Sequence, residues 1–192
     1  MSIIYHESTQ TLHLTNGLVS YLIKVLPNGA LGQLYFGRAI RDRESFDHLL
    51  EQKHRPMSSW VFEGNKLFSL EHTRQEYPSY GSTDFRHPAV QVLQPNGSRI
   101  TNLVYCSHSV ASGKPSLKGL PATYCESPNE AETLTVHLRD ELLDLYVDLH
   151  YTLFAGRAAI ARSVRIVNGG SQDLHLTHAM SLCLDLPDSN YE

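Results

Sequence analysis

Hydrophobic and polar residues alternate along much of this chain with a period of two, the pattern of β-strands that bury one face. The alternation is clearest at 143–152, and residues 133–139 repeat it. Because only a short polar connection separates these segments, they predict an antiparallel hairpin. Segments 159–167 and 174–186 predict a second hairpin across residues 168–171, whose two glycines suit the positive φ angles of a tight turn.

Shorter strand segments precede these hairpins and are separated by turn signals such as Asn-Gly and Pro-Asn-Gly. They lie at 11–15, 19–25, 31–36, 89–93 and 100–108. Residues 41–50 allow a short helix, but their pattern is weak. Frequent turns, without any regular alternation of strands and helices, predict an all-β fold that is a large antiparallel β-sandwich.

Residues 38–66 interrupt this regularity with a long polar segment that has no strand period. Loops of this length within a compact domain usually serve a function or lack fixed structure. The segment holds Trp60, the single tryptophan of the chain. Two interpretations of Trp60 remain open: its ring contacts a sugar or a protein partner, or it closes one end of the sandwich.

A second irregular segment, residues 74–89, is rich in proline, glycine and aromatic residues. Its two prolines fix the backbone, and Gly81 permits a turn that a side chain would oppose. Asp84 and Arg86 are spaced to form a salt bridge that orders this loop. We favour that scaffold role over contact with a substrate.

The composition fits one large β domain and argues against several classes of partner. The 192 residues carry a net charge of −4, with a pI near 6.2, so neither nucleic acid nor an anionic membrane is an expected partner. No apolar run approaches the ~18 residues of a membrane helix, and the first residues do not resemble a secretion signal. The three widely spaced cysteines suggest neither a disulfide framework nor a zinc site. We therefore expect reduced, mostly buried thiols in a cytoplasmic protein.

The acidic residues form no recognisable catalytic pair along the sequence. Asp144 and Asp148 share one face of a predicted strand, but about 13 Å would separate them, which is too far for a pair that acts with retention. We interpret both as charges on the solvent-facing side of the sheet. The sequence also lacks a phosphate-binding loop, a nucleophile elbow and a dinucleotide-binding fingerprint.

Two pairs of histidines have spacings that could suit metal ligands. His175 and His178 would point to opposite faces of a regular strand, and they could share an ion only across a bulge. His137 and His150 can meet across the first hairpin, but no third ligand is evident. The sequence therefore predicts no metal site and no cofactor.

Several segments, in order along the whole chain, resemble the N-terminal region of bacterial α-galactosidases of glycoside hydrolase family 36. They are Arg-Asp at 41–42, Phe-Ser-Leu at 68–70, the Gln-Glu-Tyr-Pro to Pro-Ala run at 75–89, Gly-Lys-Pro at 113–115, Leu-Lys-Gly-Leu-Pro-Ala-Thr-Tyr at 117–124, Ala-Glu-Thr-Leu at 131–134 and Leu-Asp-Leu-Pro at 184–187.

This resemblance implies that residues 1–192 are a single domain, the β-supersandwich that precedes a (β/α)8 catalytic barrel and a small C-terminal β domain in a longer, tetrameric enzyme. Such enzymes hydrolyse terminal α-galactosides, such as melibiose and raffinose-type oligosaccharides, with retention. Both catalytic aspartates lie in the barrel, so we expect no catalytic residue in this chain and no activity from it alone. The expected partners are the enzyme's own barrel, further copies of the enzyme and its α-galactoside substrate.

The resemblance also implies that a loop at about 41–66 reaches the mouth of the active site. On that basis Glu51, His54, Trp60 and Lys66 are the candidate substrate-binding residues, with Glu51 and His54 as alternative placements of one ligand. A solvated loop charge is an equally good interpretation of Glu51, His54 and Lys66. Two rival functions remain: a stand-alone carbohydrate-binding sandwich, and a purely structural oligomerisation domain.

Overall fold

The computed structural model describes residues 1–119 and 122–186, and in these residues the chain forms ten β-strands. They are β1 (Ser2–His6), β2 (Thr11–Thr15), β3 (Val19–Val25), β4 (Leu31–Arg38), β5 (Val90–Leu93), β6 (Val104–Ser112), β7 (Ala131–Asp140), β8 (Leu145–Phe154), β9 (Ile160–Asn168) and β10 (His175–Ala179). All the strand pairings are antiparallel, which confirms the predicted all-β sandwich class. Parts of two family-like segments, at 120–121 and 187, lie outside the described residues.

The first sheet contains β1, β2, β3 and β4, each hydrogen-bonded to the next in chain order. The three strands predicted between residues 11 and 36 are confirmed, with β4 extended to Arg38. The Asn16-Gly17 turn joins β2 to β3: Gly17 has φ +84°, and the Asn16 side chain accepts the backbone N–H groups of Leu18 and Val19. Strand β1 was not predicted, and it lies at the edge of this sheet.

The second sheet contains β6, β7, β8 and β9 in that order. The predicted hairpin of β7 and β8 is confirmed, with Leu138 opposite Val147. Strand β6 begins at Val104 rather than at residue 100, because the backbone before it bonds elsewhere: the Thr101 N–H reaches the Tyr80 carbonyl.

The second predicted hairpin is wrong. Strand β9 pairs with β8, whereas β10 pairs with β5 in a separate two-stranded sheet and ends at Ala179. The backbone N–H of Met180 donates to the Ala89 carbonyl at 2.8 Å, and the Tyr77 hydroxyl donates to the Met180 carbonyl at 2.9 Å. Alternation identifies a strand but not its partner, and here contacts distant in sequence decide the pairing.

The core lies between the two four-stranded sheets. Alternate residues of both sheets are almost completely buried and form one cluster with apolar residues of β5. Among them are Leu12, Leu14, Tyr21 and Ile23 of the first sheet, Val90 and Val92 of β5, and Leu134, Val136, Val147, Leu149 and Tyr151 of the second. In the described part of the chain, helical structure consists of two three-residue 3-10 turns, Asp47–Leu49 and Pro128–Glu130, and no helix is suited to crossing a membrane.

A buried ionic cluster crosses this apolar core. Glu76, which has no exposed surface, accepts hydrogen bonds from Tyr21 of β3 at 2.5 Å and Tyr151 of β8 at 2.8 Å. Arg162 of β9 lies 2.7 Å from the same carboxylate, and its guanidinium stacks over the Tyr151 ring at 4.6 Å. Burial raises the pKa of the Glu76 carboxyl, and the guanidinium and the two hydroxyl donors oppose that rise. One carboxylate thus links the two sheets.

Replacing Glu76 tests this link. In Glu76→Ala the guanidinium of Arg162, only 9 % exposed, and two tyrosine hydroxyls lose their partner inside the core. We expect the free energy of unfolding to fall by about 3–5 kcal/mol in chemical denaturation, the usual cost of breaking a buried pair. The control is Arg165→Met, on the same strand as Arg162. This substitution removes an exposed pair with Asp148, and the free energy of unfolding should fall by about 1 kcal/mol or less. Equal effects of the two variants would contradict the role assigned to Glu76.

Candidate functional site

The long segment after β4 lies against the face of the first sheet that is turned away from the core. Phe46, which is 1 % exposed, packs there with Leu22 and Leu34. The Lys24 ammonium lies 2.6 Å from the Asp47 carboxylate in the 3-10 turn. The predicted short helix at 41–50 is therefore reduced to this turn, and residues 39–50 are fixed to the sheet.

A chain of polar contacts fixes the start of the same segment. Asp42 Oδ1 lies 2.6 Å from His13 Nδ1 and 3.0 Å from His6 Nε2, and His13 Nε2 lies 2.9 Å from the Ser20 hydroxyl. The order Ser20, His13, Asp42 matches the relay that activates a nucleophilic serine. Ser20 and His13 are completely buried, however, so no substrate can reach the hydroxyl. The contacts hold the loop and do not form a hydrolytic site.

The second half of the loop carries the predicted substrate-binding residues, and all four are exposed: Glu51, His54, Trp60 and Lys66. The structure brings Trp60 and Lys66 together, with the ammonium 5.4 Å from the ring centre. Trp60 is 41 % exposed, so its ring does not close the end of the sandwich.

Glu51 is paired with Arg55, four residues further along the loop. The hydrogen bond from Arg55 lowers the pKa of the Glu51 carboxyl, a group that is already ionised at neutral pH. The loop returns to the scaffold at Ser59, whose hydroxyl donates to Glu71 at 2.9 Å, and Phe68 and Leu70 follow in a small buried cluster. Glu51 therefore lies on a protruding segment with anchors before and after it.

The predicted salt bridge of Asp84 and Arg86 is confirmed, and its surroundings show that it is scaffold. Asp84 is 3 % exposed and accepts from the Arg86 Nε and Nη2 atoms at 2.9 Å each. The same guanidinium donates to the Leu70 carbonyl at 2.8 Å. The bridge stabilises a strained turn in which Ser82 and Thr83 have φ angles of 51° and 75°.

A comparison with families of known proteins identifies the domain. The family model for the glycosyl hydrolase family 36 N-terminal domain matches residues 29–192. The chain belongs to this family. Because that match spans most of the chain, the resemblance drawn from its short sequence segments is confirmed.

Relatives of this family 36 domain are much longer proteins. The α-galactosidase AgaA of Geobacillus stearothermophilus is 42 % identical over 100 % of this chain, which covers 26 % of AgaA. The α-galactosidase structure from Lactobacillus brevis superimposes with a TM-score of 0.93 at 38 % identity, over 98 % of this chain and 25 % of that one. A structure of an AgaA variant in complex with raffinose matches with a TM-score of 0.84 at 42 % identity, over 90 % of this chain and 24 % of that one. The chain thus spans about a quarter of the length of these relatives.

Within the family 36 domain, Asp144 and Asp148 do not share one face of a strand. Asp144 lies in the turn before β8, with a φ angle of 51°, and Arg139 lies 2.7 Å from it. Asp148 lies on β8, 2.7 Å from His137 and 3.4 Å from Arg165. Both carboxylates contact basic side chains, but the predicted placement of Asp144 on the strand is wrong because the chain is still turning there.

The two histidines of the first hairpin contact different partners. His137 bonds to Asp148, and the His150 Nδ1 atom lies 3.0 Å from the Thr135 hydroxyl, so each ring has its own partner. Strand β10 does contain a register shift between Leu176 and His178, so the regular strand assumed for this pair is wrong. Across residues 1–119 and 122–186, no three histidine, cysteine or acidic side chains converge to hold a metal ion.

The cysteine prediction is only partly correct. All three thiols are free, but Cys106 is exposed, whereas Cys125 and Cys183 are half-buried. Cys106 lies on β6, an edge strand of the second sheet whose residues are mostly exposed, at an irregularity in the pairing with β7 between Tyr105 and Ser107.

Sequence reasoning missed the roles of Glu76, Asp42, His6 and His13. The sequence signal for Asp42 was the Arg-Asp pair at 41–42, which is one of the family-like segments. Its histidine partners lie 29 and 36 residues away along the chain, and no local pattern connects them.

Proposed function

We propose that this family 36 domain is part of an α-galactosidase that hydrolyses terminal α-galactosyl residues of melibiose and raffinose-type oligosaccharides with retention. The observation that carries the proposal is the 42 % identity to AgaA along the entire chain. A second α-galactosidase, Mel36A of Lactobacillus acidophilus, is 35 % identical over 98 % of the chain. The raffinose complex of the AgaA variant supports the substrate class.

Hydrolysis itself is assigned to the remainder of such an enzyme. A retaining mechanism needs two carboxyl groups roughly 5–5.5 Å apart, one as nucleophile and one as acid and base. Three acidic residues of this domain have structural contacts instead: Glu76 links the sheets, Asp84 orders a turn, and Asp148 pairs with Arg165. We propose that the domain shapes the active-site mouth, contacts the barrel and supports assembly of a cytoplasmic tetramer.

The loop at 41–66 is the part of the domain proposed to touch sugar. Ionised Glu51 can accept hydrogen bonds from sugar hydroxyls, and Lys66 can donate to them. The exposed Trp60 ring offers a flat apolar face to a pyranose. His54 lies three residues beyond Glu51 on the same exposed segment and is the alternative hydrogen-bonding group.

The first test is hydrolysis by the isolated chain. We expect its rate on a chromogenic α-galactoside to be below one hundredth of that of a full-length enzyme at equal molar concentration, because the proposed catalytic carboxylates lie elsewhere. A mock preparation from cells that do not express the chain serves as a control for contaminating activity. Turnover by the chain above that threshold, and absent from the mock preparation, would overturn the assignment of catalysis to the barrel.

The second test concerns the loop in a full-length enzyme that contains this domain. Glu51→Ala should raise KM roughly tenfold, the effect of losing a hydrogen bond to a charged group, and His54→Ala should raise it a few-fold. The matched control is Glu141→Ala, an exposed carboxylate in the turn between β7 and β8 that should leave KM unchanged. Unchanged kinetics in both loop variants would remove these positions from the sugar site.

A second candidate function is a carbohydrate-binding module that acts without catalysis. The exposure of Trp60, with Lys66 beside its ring, is the observation that favours it. If it is correct, titration calorimetry of the isolated chain should show heat on addition of galactose, and Trp60→Ala should abolish it. Absence of heat at millimolar galactose would exclude this function and leave the first proposal unaffected.

A further inference from the structure

We propose that Asp42 is a positioning residue: its carboxylate, shared by His6 and His13, latches the loop at 39–66 onto the first sheet and releases it on protonation. The latch itself is a property of this chain. Its consequence for sugar binding rests on the loop function proposed above.

Two of the bonds that attach the start of the loop to the sheet share one acceptor atom. Asp42 Oδ1 accepts from His13 Nδ1 at 2.6 Å and from His6 Nε2 at 3.0 Å. His6 lies on β1 and His13 on β2, so one carboxylate joins the first two strands of the sheet to the start of the loop. Neutralising that carboxylate weakens both bonds at once, because each depends on the negative charge of the acceptor.

The histidine side of the latch is buried, whereas the Asp42 side chain is 36 % exposed. The His13 side chain has no exposed surface, and that of His6 is 10 % exposed. Behind His13, the Ser20 hydroxyl also accepts the backbone N–H of Ile40 at 3.1 Å, two residues before Asp42. On the other side, Phe46 packs edge-on against the His13 ring at 5.4 Å. Loss of the carboxylate charge would leave a buried imidazole N–H without a strong acceptor.

Other charges near Asp42 do not substitute for it. The Glu44 carboxylate is 3.9 Å from His6 Nδ1, but it is 77 % exposed. The titratable and charged groups near Asp42 include its sequence neighbours Arg41 and Arg43, together with His6, His13, Lys24, Glu44, Asp47 and His48. Lys24 and Asp47 pair with each other at 2.6 Å, which leaves the two histidines to Asp42.

The direction of the pH dependence follows from the environment of Asp42. Burial raises the pKa of this carboxyl, but the hydrogen bonds from His13 and His6 outweigh burial and leave the pKa below its usual range. A lowered pKa means that the latch stabilises the folded loop at all pH values above the ordinary aspartate range. This contribution is lost as the pH falls through the lowered pKa of Asp42.

Hydrogen–deuterium exchange on this chain tests the latch directly. At pH 7, Asp42→Asn should speed exchange of amides 39–50 roughly tenfold or more, while amides of β7 and β8 stay within about twofold of the wild type. Glu44→Gln is the matched control, and it should change the loop amides by less than about threefold. An Asp42→Asn effect no larger than the control, or an effect equal in both sheets, would overturn the proposal.

One further variant and a pH series keep the test independent of one substitution. His6→Gln should loosen the same amides less than Asp42→Asn, because His13 still holds the carboxylate. Protection factors of the wild type and Asp42→Asn should converge as the pH is lowered through the pKa of Asp42, since protonation removes the same charge. A difference that persists unchanged at low pH would rule out release by protonation.

Kinetics of a full-length enzyme separate this inference from the loop function. If both are correct, Asp42→Asn raises KM with little change in kcat, because a mobile loop presents its sugar contacts less often. If amide protection falls but KM stays constant, the latch stands and the sugar-binding role of the loop fails. If Glu51→Ala raises KM while Asp42→Asn changes neither protection nor KM, the latch alone fails.

Discussion

The pairing of Glu76 with Arg162 is the interaction on which the rest of this domain depends. A carboxylate with no exposed surface is expensive to bury, and it is tolerated only where a cation and further donors meet it. Here those groups come from β3, β8 and β9, so the bond network forms only when both sheets have the correct register. The backbone N–H of Glu76 also donates to the Leu31 carbonyl, which ties the irregular segment at 74–89 to β4.

That constraint extends outward to the long loop. The segment that carries Glu76 also carries Arg86, whose guanidinium donates to the carbonyls of Leu70 and Thr73. The loop at 39–66 therefore ends on a backbone that the buried cluster holds in place, and it begins at Asp42 on the outer face of the first sheet. Exposed residues between two such anchors are presented in a limited range of positions, which suits a role at the edge of a binding site.

The strands were predictable where one face is buried and the other is not. Strands β7 and β8 show this alternation most clearly, because their inward residues are almost fully enclosed. Strand β1 was missed since it lies at a sheet edge and its residues are mostly half-buried, which produces no clear alternation. The partner of β10 was predicted wrongly because the contacts that select it, such as Tyr77 with Met180, join residues about a hundred positions apart. The local sequence pattern does not determine such long-range contacts.

The distance along the sequence between interacting residues also decides which site residues could be predicted from the sequence. Asp84 and Arg86 are two residues apart, so their salt bridge was visible in the sequence, whereas Glu76 and Arg162 meet only after the sheets have paired. The functional candidates on the loop are a different case. Glu51 contacts Arg55, and Trp60 contacts Lys66, but these exposed pairs contribute little to folding. The fold does not require these loop side chains, so no packing or pairing constraint within the domain points to them, and the family resemblance was the signal that singled them out.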